Sequence, residues 1–183
     1  MNNTEPQLSP DTQAILLLCS HFSKKTAKDE VQPLTPSEYA WLAHWLHEQQ
    51  LRPADLLDSS AALKLKPVAY KNITASRVLA LLMRGAAMAM AVEAWTNNGL
   101  WVLSRGDKNY PARLKTRLGQ AAPPLFYGVG QPWLLQKGGL AIVGSREVDA
   151  EMTDFTKRLA KLAAQQGITI ISGGARGVDT DAM

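Results

Sequence analysis

The chain has 183 residues, of which 46% are hydrophobic and 20% charged, a composition typical of a globular protein with one domain or a small domain and part of another. No apolar run reaches the ~18 residues that a membrane-spanning helix needs, and Met1 to Pro10 lacks the basic and apolar regions of a secretory signal. The single cysteine, Cys19, excludes an internal disulfide and lies in an apolar run. We therefore expect it to be a core residue of a cytoplasmic protein without membrane contact.

The net charge of +4 is unevenly distributed along the chain. Residues 1–99 contain nine Lys or Arg and nine Asp or Glu, whereas residues 100–183 contain eleven and seven. The whole excess of positive charge therefore lies in the second half, which suits a partner that carries phosphate groups.

Residues 1–95 have the pattern of a small all-α module. Thr35 and Glu38 have the spacing of a capping box, in which each side chain satisfies a backbone N–H of the other residue. The last predicted helix continues to Trp95 with an interruption at Gly85. Start signals predict helices that begin at Ser9, Thr35, Pro53 and Thr74, the first of them running through Phe22.

From residue 96 the pattern changes to strands that alternate with helices. The predicted elements are strands at 100–103 and 125–128, a loop around Tyr110 and Pro111, then a strand at 140–143, a helix at 151–166 and a strand at 168–171. The last three elements form a strand–helix–strand unit, so their strands are expected to be parallel and buried on both faces. The predicted helix has Phe155, Leu159, Leu162 and Ala163 on one face.

These elements predict an α/β protein. A small all-α module at residues 1–95 precedes an incomplete doubly wound parallel sheet of the Rossmann-like type at residues 96–183. A doubly wound sheet needs several more strands, and Val178 to Met183 has the pattern of the next helix. We therefore expect the chain to be the N-terminal portion of a longer protein.

Two turns leave from the carboxyl ends of the predicted parallel strands, where open α/β sheets bind their ligands. Glycine lets a backbone N–H approach a ligand closely, and arginine presents a planar pair of donors to phosphate. The alternative is that the glycines serve the tight turns alone. The predicted anion site consists of Gly144, Ser145 and Arg146 in the first turn and Ser172, Gly173, Gly174, Arg176 and Gly177 in the second.

Four motifs follow in order between about Gly99 and Met183. They are Tyr110-Pro111, Pro123-Pro124-Leu125-Phe126-Tyr127, Ala141-Ile-Val-Gly-Ser-Arg146 and Ile171-Ser-Gly-Gly-Ala-Arg-Gly-Val-Asp179. In this series the sequence resembles the DprA/Smf family of DNA-processing proteins. The resemblance implies a protein that binds single-stranded DNA and helps to load the recombinase RecA in natural transformation. It also implies a Rossmann-like domain, a homodimer in the complete protein, and a DNA-phosphate pocket lined by the eight residues of the predicted anion site.

Other functions stay open at this point. A nucleotide-binding sensor or a phosphoribohydrolase-like enzyme of the same fold group is one alternative, and a non-functional fragment is another. Neither turn matches a dinucleotide or ATP-binding motif, and no general acid or nucleophile–base pair is found, so neither a cofactor nor catalysis is predicted. His44 and His47 lie three residues apart without a second pair of ligands nearby, so no metal ion is predicted either.

Overall fold

A computed structural model describes residues 8–22 and 31–183 of the chain. The chain forms two compact units, Met1–Pro132 and Trp133–Met183, called here the N-terminal and C-terminal units. Parts of the predicted helical module, residues 1–7 and 23–30, lie outside the described residues. The predicted domain boundary after residue 95 stays a prediction, because the division at Pro132 reflects compactness alone.

The described part of the N-terminal unit is mainly helical. Its helices are α1 (Pro10–Cys19), α2 (Pro36–Glu48), α3 (Ala61–Leu65), α4 (Ala75–Leu82), α5 (Gly85–Asn97) and α6 (Ala112–Leu118), with 3₁₀ turns at Pro53–Leu56 and Gly119–Ala121. Its strands are β1 (Ala69–Tyr70), β2 (Ile73–Thr74), β3 (Leu100–Ser104) and β4 (Leu125–Val129). The β1–β2 hairpin, α3 and α6 were not predicted, because each is too short to give a periodic pattern.

The predicted start signals act at both of the first two helices. The Ser9 hydroxyl accepts a hydrogen bond from the Thr12 N–H at 3.2 Å, and α1 ends at Cys19 instead of Phe22. At α2 the capping box is confirmed, since Thr35 Oγ1 accepts from the Glu38 N–H at 3.3 Å and Glu38 Oε2 accepts from the Thr35 N–H at 2.8 Å.

The core of the N-terminal unit is built around α1, in which Ala14 to Leu18 are all buried. Cys19 is partly buried against this core, and burial raises the pKa of its thiol, as expected for a packing residue that carries no reactive thiolate. The buried side chains that α2, α3 and α4 contribute to the same core are Tyr39, Leu42, Leu46, Leu65, Val78 and Leu81, and Trp41 and Trp45 of α2 pack partly buried against it.

An ion pair between Glu38 and Arg77 joins α2 to α4. The Arg77 Nη1 donates to Glu38 Oε1 at 2.7 Å, and both side chains are largely buried. The hydrogen bond from Arg77 is the main reason that the pKa of Glu38 lies below its ordinary value.

The pH dependence of stability is expected to report this ion pair. Because the pKa of Glu38 is lowered in the folded state, its contribution is complete above about pH 5 and is lost as the pH falls through the folded pKa. Glu38→Gln keeps the capping-box acceptor and removes the charge. We expect the variant to be less stable by about 1 kcal/mol at neutral pH and equal to the wild type in acid. Urea unfolding at several pH values measures the difference, and a difference that stays constant with pH would contradict the expectation.

Strands β3 and β4 form an antiparallel pair in register from Leu100 opposite Val129 to Ser104 opposite Leu125. The pair packs on α1 and on α5 within the N-terminal unit. Asp107, just after β3, accepts hydrogen bonds from three groups: the Thr12 hydroxyl at 2.8 Å, the Ser9 hydroxyl at 2.9 Å and the Ser104 N–H at 2.6 Å. We call these four residues the Asp107 cluster, and it ties the start of α1 to the end of β3.

The C-terminal unit is a strand–helix–strand unit, as predicted. Its elements are a 3₁₀ turn at Pro132–Gln136, β5 (Gly139–Ala141), α7 (Ala150–Gln165), β6 (Thr169–Ile171) and α8 (Val178–Asp181). β5 and β6 are parallel, with Gly139 opposite Thr169 and Ala141 opposite Ile171. The chain is therefore of mixed α/β composition, but its described strands form three separate pairs, and a doubly wound sheet is not among them.

The burial predicted for this unit is partly wrong. The strands were expected to be buried on both faces, yet Val143 is 75% exposed and Ile171 is 49% exposed, while Ile142 is buried. On α7 the predicted apolar face is also split, because Ala163 is buried whereas Phe155 and Leu162 are more than half exposed. A single helix layer covers only one side of two strands, which leaves their other side open.

Among the described residues, no single helix is long and apolar enough to cross a membrane. The helices α4 and α5 meet the criteria of length and composition only as a pair, bent by 49° at the break between them.

Candidate functional site

The two predicted turns meet at one edge of the C-terminal unit. Because β5 and β6 are parallel, the segments that follow them, Gly144–Arg146 and Ser172–Gly177, leave from the same edge. The Val178 N–H donates to the Ser145 carbonyl oxygen at 3.1 Å and joins the second segment to the first. All eight residues of the predicted anion site therefore lie in these two segments, which we call the carboxyl-edge turns.

Two glycines of the carboxyl-edge turns, Gly144 and Gly177, have a reason in packing alone. A Cβ at Gly144 would lie 2.6 Å from Val178 Cγ2, whereas one at Gly173 would meet only the end of the Asp179 side chain, with Oδ2 at 2.7 Å. Gly177 has φ +87°, and a Cβ there would overlap the Ser145 carbonyl oxygen. Gly144 and Gly177 thus have a structural reason to be present whether or not a ligand binds.

The two serines have different roles. The Ser172 hydroxyl points inward, with Ile142 O at 2.9 Å and Asp179 O at 3.2 Å as acceptors for its one proton. Its proton is therefore used within the fold, and the place of Ser172 in the anion site stays a prediction. The Ser145 hydroxyl is exposed and accepts from the Glu147 N–H at 3.1 Å, which leaves its proton available to a ligand.

Both arginines of the carboxyl-edge turns are exposed. Arg176 is 78% exposed, and its Nη2 lies 3.6 Å from Glu147 Oε1, whose side chain is 88% exposed. An ion pair this open to water contributes little to stability, so the guanidinium can exchange the carboxylate for another anion. Arg146, in the neighbouring turn, is also on the surface.

The aspartates after the second turn hold α8 in place. The cap position of α8 is Gly177, and both aspartates lie inside the helix. Asp179 is buried, and its carboxylate lies beside Gly173. Asp181 Oδ2 accepts from the Thr153 hydroxyl at 3.0 Å, and Asp181 Oδ1 lies 3.5 Å from Lys157 Nζ.

The excess of positive charge does not lie beside the carboxyl-edge turns. Residues 133–183 contain six Lys or Arg and six Asp or Glu, whereas residues 100–132 contain five and one. The basic character of the second half is thus concentrated on α6 and its flanking loops, where Arg113, Lys115 and Arg117 are all exposed.

The two tyrosines in the matched motifs differ in exposure, since Tyr110 lies in the core and Tyr127 is 43% exposed. Tyr110 is buried, and its hydroxyl donates to the Pro123 carbonyl oxygen at 2.7 Å. The Tyr127 hydroxyl contacts the Ser20 hydroxyl, and its ring packs edge-on against Trp95 with the centroids 5.2 Å apart. Within residues 8–22 and 31–183, no three His, Cys, Asp or Glu side chains lie together as ligands for a metal ion.

Comparison with known proteins identifies one family in this half of the chain. Residues 101–183 match the family described as DNA recombination-mediator protein A, which confirms the resemblance to the DprA/Smf family over these residues. No curated protein matches the chain significantly.

Proposed function

Because residues 101–183 match a family of DNA recombination mediators, we propose that the chain binds single-stranded DNA through the carboxyl-edge turns. The observation that carries the proposal is the pair of exposed guanidinium groups, Arg146 and Arg176, on two turns joined by the Val178 to Ser145 hydrogen bond. Each guanidinium can donate two parallel hydrogen bonds to phosphate oxygens, and the Ser145 hydroxyl can donate a third.

The proposed binding is independent of base sequence, because phosphate contacts carry no sequence information. The role that follows is non-enzymatic: the protein covers a single strand and presents it to a recombinase such as RecA during DNA uptake in the cytoplasm. A Rossmann-like domain and a homodimer of the complete protein belong to the same proposal.

We expect Arg146→Ala and Arg176→Ala each to weaken the binding of a fluorescent oligo-dT about fivefold at low salt. Each variant should also reduce the slope of log Kd against log salt by about 0.7, the value for one phosphate contact on a single strand. Fluorescence anisotropy across a salt series measures both quantities.

The matched control is Arg158→Ala, which removes an exposed arginine on α7 whose Nε lies 3.0 Å from Asp154 Oδ2. It should bind oligo-dT as the wild type does. Binding that is indifferent to both Arg146 and Arg176 would overturn the proposal. Binding of free nucleotides in place of the oligomer would favour the nucleotide-sensor alternative, and binding of neither would favour a non-functional fragment.

A further inference from the structure

The N-terminal unit contains a groove that is lined by aromatic and polar side chains. It lies between α2, the β1–β2 hairpin and the 3₁₀ turn Gly119–Ala121, and it encloses about 640 Å³. The ring of Trp41 on α2 and the ring of Tyr70 on β1 stack in this groove with their centroids 4.5 Å apart and their planes 6° from parallel. Tyr70 is 39% exposed. We call this the Trp41 groove, and it offers a planar aromatic surface that water can reach.

A lysine with an unusual backbone conformation lies beside the stacked rings. Lys71 has φ +50°, a left-handed conformation that side chains other than glycine rarely adopt, at a cost of about 1 kcal/mol. Its Nζ lies 5.2 Å from the centroid of the Tyr70 ring. The turn between β1 and β2 therefore places an ammonium group over the Tyr70 ring, which also stacks on Trp41.

The charged side chains that line the Trp41 groove favour an anion. Lys71 is the one Lys or Arg among its lining residues. Glu38 is the one carboxylate among the residues that line the groove, and Arg77 already pairs with it at 2.7 Å.

From this arrangement we infer that the Trp41 groove binds a nucleobase of a single-stranded nucleic acid. The base takes the place of the flexible Lys71 ammonium over the Tyr70 ring and extends its stack with Trp41, while Lys71 neutralises an adjoining phosphate. Aromatic rings beside a positive charge suit a ligand that carries both planar rings and negative charges. Single-stranded nucleic acid is such a ligand, and proteins bind it by stacking its bases on aromatic side chains in basic grooves. The volume falls within the ~300–1,000 Å³ typical of ligand pockets. This inference rests on the proposed function and adds a contact in the other compact unit.

The test compares a labelled oligo-dT with an abasic oligomer of equal length, which has the same phosphates and no bases. We expect the wild type to bind oligo-dT at least about fivefold more tightly than the abasic oligomer, as one stacked base would provide. Trp41→Leu and Tyr70→Leu should lower this ratio of affinities towards one and leave binding of the abasic oligomer unchanged. An unchanged urea-unfolding transition shows that the N-terminal unit of each variant is folded.

Lys71→Gly provides an independent variant, because glycine relieves the left-handed backbone while the ammonium is lost. It should bind both oligomers more weakly, by about fivefold, and be at least as stable as the wild type. Gln50→Gly is the control for the change of backbone conformation, since Gln50 also has a left-handed backbone with φ +58°. Lys66→Ala is the control for the loss of one positive charge, since Lys66 is an exposed lysine. Neither control should change binding.

The inference would be overturned if the wild type bound oligo-dT and the abasic oligomer equally tightly. It would also be overturned if the preference for oligo-dT were unchanged in both Trp41→Leu and Tyr70→Leu. The Arg146 and Arg176 variants distinguish its failure from that of the proposed function, because they should change the affinity for both oligomers and leave the ratio intact. Suppose that these two variants bind as the wild type does, while Trp41→Leu binds oligo-dT no more tightly than the abasic oligomer. The inference about the Trp41 groove is then supported, and the proposed function of the carboxyl-edge turns is contradicted. If neither oligomer binds, both are overturned.

Discussion

Gly177→Ala is expected to destabilise the C-terminal unit by about 3 kcal/mol or more. Gly177 has φ +87°, and an alanine Cβ would overlap the Ser145 carbonyl oxygen and lie 2.9 Å from the Cα and carbonyl carbon of Arg146. These are backbone atoms, which cannot rotate out of the way as the end of a side chain can. The two carboxyl-edge turns would therefore be pushed apart.

Hydrogen exchange measures this effect locally. In Gly177→Ala, the amide of Val178, which donates to Ser145 O, should lose its protection together with the amides of α8. Binding of oligo-dT through Arg146 and Arg176 should weaken at the same time, because both side chains depend on the geometry of these turns.

Gly167→Ala is the matched control in the same unit. Gly167 has φ +70°, but no atom lies within 4 Å of the position that its Cβ would take. Only the backbone conformation opposes alanine there, so we expect a loss of about 1 kcal/mol. Equal losses at Gly167 and Gly177 would show that close packing between the carboxyl-edge turns is not the reason for the glycine.

Asp107→Ala is expected to destabilise the N-terminal unit by roughly 3 kcal/mol. The substitution removes the acceptor of the Thr12 hydroxyl, the Ser9 hydroxyl and the Ser104 N–H. The Thr12 hydroxyl keeps Ser104 Oγ as an acceptor at 2.9 Å, but the N–H of the buried Ser104 loses its acceptor and is poorly placed to find water instead. Urea unfolding followed by tryptophan fluorescence measures the loss.

Two further variants separate hydrogen bonding from charge. Asp107→Asn keeps one acceptor oxygen and should recover part of the lost stability. Glu48→Ala removes an exposed carboxylate of the same unit whose ion pair with His44 is open to water on both sides, and it should change stability little. If Asp107→Ala were as mild as Glu48→Ala, the Asp107 cluster would not be what holds α1 to β3.

Several features of the fold could be read from short stretches of sequence. The capping box of Thr35 and Glu38 and the strand–helix–strand order of residues 139–171 were both predicted. Each depends on groups within a few residues of one another, or on an apolar period within one element, and such local signals do not need the rest of the chain. The adjacency of the carboxyl-edge turns followed as well, because parallel strands end at the same edge.

The hydrogen-bond partners and the packing of the candidate site could not be predicted from short stretches of sequence. Ser172 has the residue type of a phosphate donor, yet its proton goes to Ile142 O or to Asp179 O. The first of these acceptors lies thirty residues away in the sequence, and its position follows from strand pairing. Gly177 likewise reads as a flexible turn residue, although it is the packing against Ser145 that requires glycine.

The start of most helices and strands, the parallel order of β5 and β6, and the excess of positive charge in residues 100–183 follow from the amino-acid sequence. The buried face of α7, the free hydroxyl at the carboxyl-edge turns and the stacking of Trp41 on Tyr70 follow from the folded arrangement. The two groups of features differ in the distance along the chain between the residues that interact. Caps and periodicity arise from neighbours along the chain, whereas burial, hydrogen-bond partners and ring stacking depend on residues that only folding brings together.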